Sequence, residues 1–590
     1  MKILLAAVNA KYIHLNLALH SLRQYAASFT DQIEICEFTI NQYQENIIHE
    51  IYRKKPDLLA FSCYIWNISQ VVSACRTLRV LFPHLPIWLG GPEVSFETEQ
   101  FLAEHPCITG VMRGEGEVTF ERLLERYAQE SSRISGAEAC REREAAENAD
   151  LSGIPGITWR RADGKIIRER DLLPEDLPKM DDLPFVYDAM DPALFEHRIL
   201  YYETSRGCPF SCSYCLSSAK KGVRYRSLEK VLRELQFFLD AEVPQVKLID
   251  RTFNADADRA LQIWQYILEH DNGVTNFHCE IEASILTEEE LALLSKMRPG
   301  LIQTEIGVQS ANGATLRSVH RNPDISKIRE CAAAIRKNGN MHLHLDLIAG
   351  LPFEDLGSFR RSFAEVYRMQ PNELQLGFLK LLKGSPIRRE AERFGIEADP
   401  QAPYEVLRTD WLSYDDLLHL KDVEEMLEIF YNSQQFTNSI AALGQCFKDP
   451  MSLYEALSEW YRARGLYGLQ HSRQARYEHL LAFAAQLPGM DTEAFRELLT
   501  MDMYLRENLK SRAGWMRDLS ADREQTRQFY RREEETRRYL PDYASFDRQQ
   551  LNRMTHLEYF PRRGEWLLFD YGRRDPLTQN ARTVRLLPEK

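Results

Sequence analysis

Three cysteines, Cys208, Cys212 and Cys215, stand in a C-x3-C-x2-C spacing just after an apolar run at 199–202 and a turn rich in Gly and Pro. A loop of this kind can wrap three thiolates around one compact inorganic centre. Simple iron–sulfur clusters take four Cys ligands and closed zinc sites take four ligands, so a tight set of three points to a cubane with one iron left open. That open iron can bind a substrate or cofactor. The plainer alternatives are a zinc knuckle that borrows a distant histidine, or three cysteines buried as small apolar residues.

The elements that must position this loop belong to a long chain. At 590 residues, a guide of about 150 residues per domain gives three or four domains. Hydrophobic content of 44% and aromatic content of 11% are ample for globular cores. No run approaches the length of a membrane helix, and residues 1–8 are too short and too soon polar for a signal peptide, so a cytoplasmic location is expected and no membrane partner. Eleven cysteines in so long a chain argue for a reducing compartment and against a disulfide framework. The net charge of −13 gives no general attraction to a polyanion, so nucleic acid is not expected as a partner.

Residues 1–130 alternate apolar runs (3–8, 33–38, 58–62, 87–89, 108–112) with helical patterns (15–26, 71–82, 118–127). This alternation predicts βαβ units in an α/β domain with an open parallel sheet of flavodoxin or Rossmann type. Ligands of such sheets sit at the carboxyl ends of the strands. The loops there carry Asn9, Tyr12 and His14, then Ser62, then Gly90, Gly91, Pro92 and Glu93, then Gly114 and Glu115. Residues 131–195 read as a linker: 131–150 is a charged insertion whose Cys140 is not expected to be a ligand, and 157–160 with 165–168 form a hairpin around Asp163-Gly164.

From 196 to 415 the strand-then-helix pattern repeats about six times and predicts a partial (β/α)6 barrel, whose chemistry gathers at the carboxyl ends of its strands. There stand Asp250, Glu280, Glu282, Glu305, Gly307, Gln309, Ser310, Asp346 and Gly350. Residues 416–590 read as a mainly helical extension (420–430, 451–464, 479–487, 492–505), with a mixed-charge solvated helix at 523–538 and a small terminal sheet from 555–560, 566–571 and 583–587.

The cysteine spacing, Arg206-Gly207 before it, Tyr214 within it and Glu305-x-Gly307-x-Gln309-Ser310 after it resemble the radical S-adenosylmethionine (SAM) superfamily. The resemblance implies a [4Fe-4S] cluster on the three cysteines and SAM chelated to the open iron. It places Tyr214 near adenine, Asp250 toward the methionine amine, Glu280 at the end of the third strand among the SAM residues, Glu305, Gly307, Gln309 and Ser310 along ribose and methionyl, and Asp346 and Gly350 beside adenine. The N-terminal loops resemble the cobalamin-binding domain of one subfamily, which implies cobalamin near Asn9, Tyr12, Ser62, Gly90–Glu93, Gly114 and Glu115. The Asp-x-His-x-x-Gly motif is absent after the first strand, so no histidine is expected on cobalt, and His14 is expected to be a surface or packing histidine.

The implied chemistry is reductive cleavage of SAM to a 5′-deoxyadenosyl radical, with an external one-electron donor of flavodoxin or ferredoxin type. A cobalamin-dependent methyltransferase is the favoured expectation, its substrate unnamed. The alternatives are a cobalamin-independent enzyme, resembling methylthiotransferases or working by cyclisation or rearrangement, and a non-catalytic iron–sulfur or zinc scaffold. Methylthiotransferases carry further N-terminal cysteines for a second cluster, whereas here Cys36, Cys63, Cys75 and Cys107 are scattered. A scaffold needs none of the SAM-lining pattern.

Overall fold

The computed structural model describes residues 1–132, 149–195, 198–219, 221–321 and 324–586. Most of the expected charged insertion, with Cys140, lies outside the described residues.

The N-terminal sheet is built on β1 (Ile3–Asn9), β2 (Ile33–Thr39), β3 (Leu58–Ser62), β4 (Ile87–Gly90) and β5 (Gly110–Met112). These five strands are parallel in the order β2-β1-β3-β4-β5, so the chain reverses direction across the sheet beside β1. Every residue of β1 is buried, as a parallel sheet covered on both faces requires. Leu4, Ala6 and Val8 pack beneath the helices Gln44–Lys54 and Ile68–Leu81. Ile3, Leu5 and Ala7 pack against Leu17–Tyr25 and Glu117–Ser132. The hairpin β6 (Ile157–Arg160) and β7 (Ile166–Arg168) does more than link: it adds to this sheet antiparallel, with Gly110 opposite Trp159.

The second unit begins with β8 (Leu200–Tyr202) and a short hairpin, β9 (Ser205–Cys208) and β10 (Gly222–Tyr225). It continues with β11 (Gln245–Leu248), β12 (Asn276–Glu280), β13 (Ile302–Gln309), β14 (His342–Ala349) and β15 (Glu373–Phe378). Six strands run parallel in the order β15-β14-β13-β12-β11-β8, which is a half-barrel. In β13 the even positions from Ile302 to Val308 are buried, while Gln303, Glu305, Gly307 and Gln309 are only partly so. Period-2 alternation thus puts the polar set on one face, and Gln303 and Glu305 line the cavity enclosed by the strands.

A half-barrel leaves β15 with a free edge, and an open edge must be covered or paired. The C-terminal extension covers it. Helix Tyr414–Leu427 runs into a π-helical turn, Glu428–Asn432, and there Asn432 imitates a neighbouring strand. Its Oδ1 accepts from Leu374 N–H at 2.9 Å and its Nδ2 donates to Leu374 O at 3.0 Å. β16 (Glu397–Ala398) and β17 (Val406–Arg408) form a small hairpin beyond the barrel. Further helices at Pro450–Ala463, Arg473–Ala484 and Thr492–Arg506 lead to a three-stranded antiparallel sheet, β18 (Thr555–Phe560), β19 (Glu565–Arg574) and β20 (Ala581–Arg585). The mixed-charge segment is the helix Arg523–Thr536, and it is not solvated all round. Phe529, Tyr530 and Glu533 are buried, and Glu533 accepts the N–H groups of Tyr539 and Leu540.

Candidate cofactor site

β9 delivers Cys208 to the carboxyl end of the half-barrel, and its register with β10 sets Cys208 opposite Gly222 and Arg206 opposite Arg224. Gly207 between them has φ +109°, and a Cβ there would lie 2.1 Å from the Gly222 carbonyl oxygen. Only glycine fits. The loop that follows is anchored by its backbone, Ser213 N–H donating to Val319 O and Ser213 O accepting from Ile387 N–H, each at 2.9 Å. Cys212 is buried, Cys208 and Cys215 are half-buried, and Cys208 Sγ lies 3.4 Å from Thr252 Oγ1. Arg321 Nη1 donates to Cys212 Sγ at 3.7 Å, and Glu282 Oε2 holds the same guanidinium at 2.7 Å. Burial pushes the Cys212 thiol up and Arg321 pulls it back toward thiolate.

The donor set suits an iron–sulfur cubane. It consists of three thiols on one braced loop, with a cation beside the most buried of them to offset thiolate charge. Among the described residues no three His, Cys, Asp or Glu side chains converge as a single-ion site requires. Cubane ligands bind separate irons and need no such convergence. Tyr214 lies half-buried against the barrel core beside Cys212.

A cavity of about 1310 Å³ separates the strand ends of the N-terminal sheet from the half-barrel, larger than the ~300–1,000 Å³ of an ordinary small-molecule pocket. Seven of the residues expected near cobalamin line it: Asn9, Ser62, Gly90, Gly91, Pro92, Gly114 and Glu115. Gly91 has φ +111°, and a Cβ there would lie 2.5 Å from Cys63 O. Tyr64 and Trp66 stack at 4.3 Å and 5° on the same wall, and Trp66 is 47% exposed. This aromatic ledge, which sequence reasoning missed, suits a large flat macrocycle. His14 also lines the cavity, with Nδ1 hydrogen-bonded to Tyr201 OH and its pKa lowered by burial.

Two expected cobalamin residues fall elsewhere. Tyr12 is 71% exposed, under the Arg198 guanidinium. Glu93 is buried and spent on a domain contact, 3.0 Å from Lys383 Nζ and accepting from Tyr404 OH.

On the barrel side Glu280 and Glu305 line the cavity. Lys247 Nζ lies 3.2 Å from Glu305 Oε2 and 3.8 Å from Glu280 Oε1, and His278 Nε2 lies 3.1 Å from Glu305. Burial raises Glu305, but His278 and Lys247 outweigh it and bring its carboxyl to about 2. Burial and the Glu305 charge raise Glu280. Such splitting separates an ionised carboxylate from one that holds a proton more readily. Asp346, raised by burial, lies 3.0 Å from His344 Nε2. At the end of β13 the strand bulges, Gln309 takes φ +69°, and its amide folds over Gly307.

Of the nine expected SAM residues only Glu280 and Glu305 line the cavity, and Asp250, Ser310 and Gly350 are engaged within the fold. Asp250, 1% exposed, accepts from Thr204 N–H at 3.0 Å and Thr204 Oγ1 at 2.6 Å, and also from Ser205, so it braces the turn into Cys208. Gly350, at φ +92°, packs against Val406. Ser310 and Ser362 each donate to Glu354 Oε1 at 2.7 Å, while Glu354 Oε2 has no partner.

Glu354 is fully buried, and burial pushes its carboxyl up to about 7 from 4.5. Because the folded pKa is raised, the folded chain binds the proton more tightly, so stability is full below pH 4.5 and falls as pH rises through 7. Between pH 5 and pH 8 the unliganded chain should lose up to about 3 kcal/mol on this account. Urea unfolding of Glu354→Gln at the two pH values should show that loss removed; an unchanged slope would assign the pH dependence to other groups.

Sequence reasoning also missed a cross-domain clasp. Arg206 Nη1 meets Glu115 at 2.7 Å, Nη2 meets Glu117 at 2.6 Å and Nε meets Glu203 at 2.8 Å, while Arg224 meets Glu115 at 2.5 Å. The one available signal was Arg206-Gly207 immediately before Cys208.

Comparison with known proteins matches residues 3–124 to the B12 binding domain, 202–366 to the radical SAM superfamily and 392–567 to a protein of unknown function, DUF4080. The chain is 26% identical over 372 residues to the cobalamin-dependent radical SAM methyltransferase TokK of Streptomyces tokunonensis, covering 59% of this chain and 51% of that one. It is 25% identical over 368 residues to the 2-(S-pantetheinyl)-carbapenam-3-carboxylate methyltransferase of Streptantibioticus cattleyicolor, with the same coverage. It thus spans about half the length of these curated relatives. Its fold matches the cobalamin-dependent SAM radical enzyme OxsB with aqua-cobalamin bound, at TM-score 0.56 and 15% identity, over 85% of this chain and 79% of that one. The matched domains imply a [4Fe-4S] cluster, SAM and cobalamin, and the cysteine loop and shared cavity fit them. Residues 202–366 thus carry the match to the radical SAM superfamily, with the B12 binding domain match ahead of it at 3–124 and the DUF4080 match behind it at 392–567.

Proposed function

We propose that the chain is a cobalamin-dependent radical SAM methyltransferase. Cys208, Cys212 and Cys215 hold the cluster, and SAM and cobalamin share the cavity between the two sheets. The observation that carries this reading is that one cavity is lined both by the strand ends of the B12-binding sheet and by the half-barrel, with Gly207 of the cluster hairpin in its wall. When bound, the cluster supplies the electron that cleaves SAM, and cobalamin supplies a methyl carrier.

The chain's own residues bind and orient. The ionised Glu305 with Lys247, together with Glu280, sets a carboxylate floor suited to a sulfonium cation. Glu280, raised by burial and the Glu305 charge, holds a proton beside the cavity more readily than Glu305. The C-terminal region seals the open side of the half-barrel through Asn432, and Glu373 and Gln375 of the sealed strand line the cavity, so this region bounds the space a substrate enters. An external one-electron donor of flavodoxin or ferredoxin type is required. No helix among the described residues is long and apolar enough to cross a membrane.

The test is anaerobic reconstitution with iron, sulfide and hydroxocobalamin, then desalting and metal assay. About four irons per chain are expected for one cubane, with one cobalt. Gly91→Ala, strained by its positive φ and its contact with Cys63 O, should weaken cobalt binding at least about tenfold and leave iron unchanged. Iron without cobalt retires the cobalamin-dependent reading; no iron removes the cluster itself.

A further inference from the structure

Arg206 and Arg224 stand directly opposite one another in the β9–β10 hairpin. Like charges at opposed positions of an antiparallel pair repel, and this hairpin carries Cys208. The charge is balanced from the other domain, because Glu115 accepts from both guanidinium groups, at 2.7 and 2.5 Å. Glu203 accepts from Nε and Glu117 from Nη2 of Arg206. The Glu117 side chain is only 6% exposed and that of Arg206 20%, so solvent and salt screen the group weakly.

Both ends of the clasp have little slack. Glu115 stands in the turn after β5, whose Gly114 N–H donates to Ser95 Oγ at 3.1 Å, and the turn lines the cavity. On the other side a single residue separates Arg206 from Cys208. That residue is Gly207, fixed by its approach to the Gly222 carbonyl, so a displaced guanidinium moves the first cysteine.

We propose that Glu115 is a positioning residue that couples the corrinoid site to the cluster hairpin. Occupancy of the cavity against residues 114–117 sets how Arg206 and Arg224 sit, and through them Cys208, so corrinoid and SAM alter one another's affinity. This rests on the cobalamin-dependent reading above. By linkage the two effects are equal, and couplings of this kind typically run from about 5-fold to about 150-fold.

The experiment uses the full chain with its cluster reconstituted. Equilibrium dialysis measures SAM dissociation with and without saturating hydroxocobalamin, and hydroxocobalamin dissociation with and without SAM. The native chain should give two equal ratios of about fivefold or more. In Glu115→Gln the ratio should fall to about one while iron per chain holds, and the EPR spectrum of the reduced cluster should shift as the arginines repel. In Glu115→Gln/Arg224→Gln the spectrum should return to the native form while the ratio stays near one, because the repulsion and the bridge are both gone. A native ratio of one with both ligands bound overturns the coupling alone, and so does a native ratio retained in Glu115→Gln. Failure of the native chain to bind cobalt overturns the coupling together with the cobalamin-dependent reading. The double variant, free of the opposed charges, keeps the test valid should the single variant not fold.

Discussion

Cys212→Ser should yield a folded chain that retains less than half of the native iron and cleaves SAM at least about 100-fold more slowly. Loss of an outer-shell partner of a metal ligand already costs about 10- to 100-fold, and loss of a ligand costs more. Cys212 is the most buried thiol of the three and the one to which Arg321 donates. Serine offers a hard hydroxyl in place of a soft thiolate and leaves the Arg321–Glu282 pair facing a weaker anion. Iron assay, EPR of the reduced protein and 5′-deoxyadenosine release check the prediction, and thermal melting confirms that the fold survives. Native iron content in this variant would falsify the ligand assignment.

Gly207→Ala should disable the same centre with every cysteine in place. At φ +109° an added Cβ would sit 2.1 Å from the Gly222 carbonyl oxygen, so the β9–β10 pair must open. The cost combines a strained backbone, about 1–3 kcal/mol, with broken ladder bonds. Opening moves Cys208 away from Cys212 and Cys215 and moves Arg206 away from Glu115, so iron uptake and cobalamin affinity should fall together. Gly164→Ala is the control: its φ of +85° is also left-handed, but nothing lies within 4 Å of the added Cβ. It should cost no more than the strain itself and leave both cofactors bound. Equal losses in the two variants would show that backbone strain, not the hairpin contact, governs assembly.

Much of this architecture is legible in short-range pattern. The seven-residue apolar run of β1 announces a strand buried on both faces, and Ile302–Gln309 shows its two faces by simple alternation. Glycines 90 and 91 at a strand end suggested backbone open to a bulky ligand; both line the cavity, but the close approach at Gly91 is to the protein's own Cys63 backbone. Asp250 shows the limit. Its place after β11 suggested a ligand-facing carboxylate, yet its oxygens are taken by Thr204 and Ser205, 46 and 45 residues away. A strand-end carboxylate looks the same in sequence whether it faces a ligand or braces a loop.

By itself the sequence determined the cysteine loop, the order of strands and helices and the presence of two α/β units, because spacing within a turn and periodicity within an element are local properties of the chain. Tertiary structure alone decided which polar groups meet. Glu115 finds Arg206 91 residues on, Glu93 is drawn into a contact with Tyr404 311 residues on, and Asn432 seals Leu374 58 residues back. The cause is electrostatic and steric: a buried charge or strand edge must be satisfied by whatever the packed domains bring within about 3 Å, and no local pattern specifies that partner.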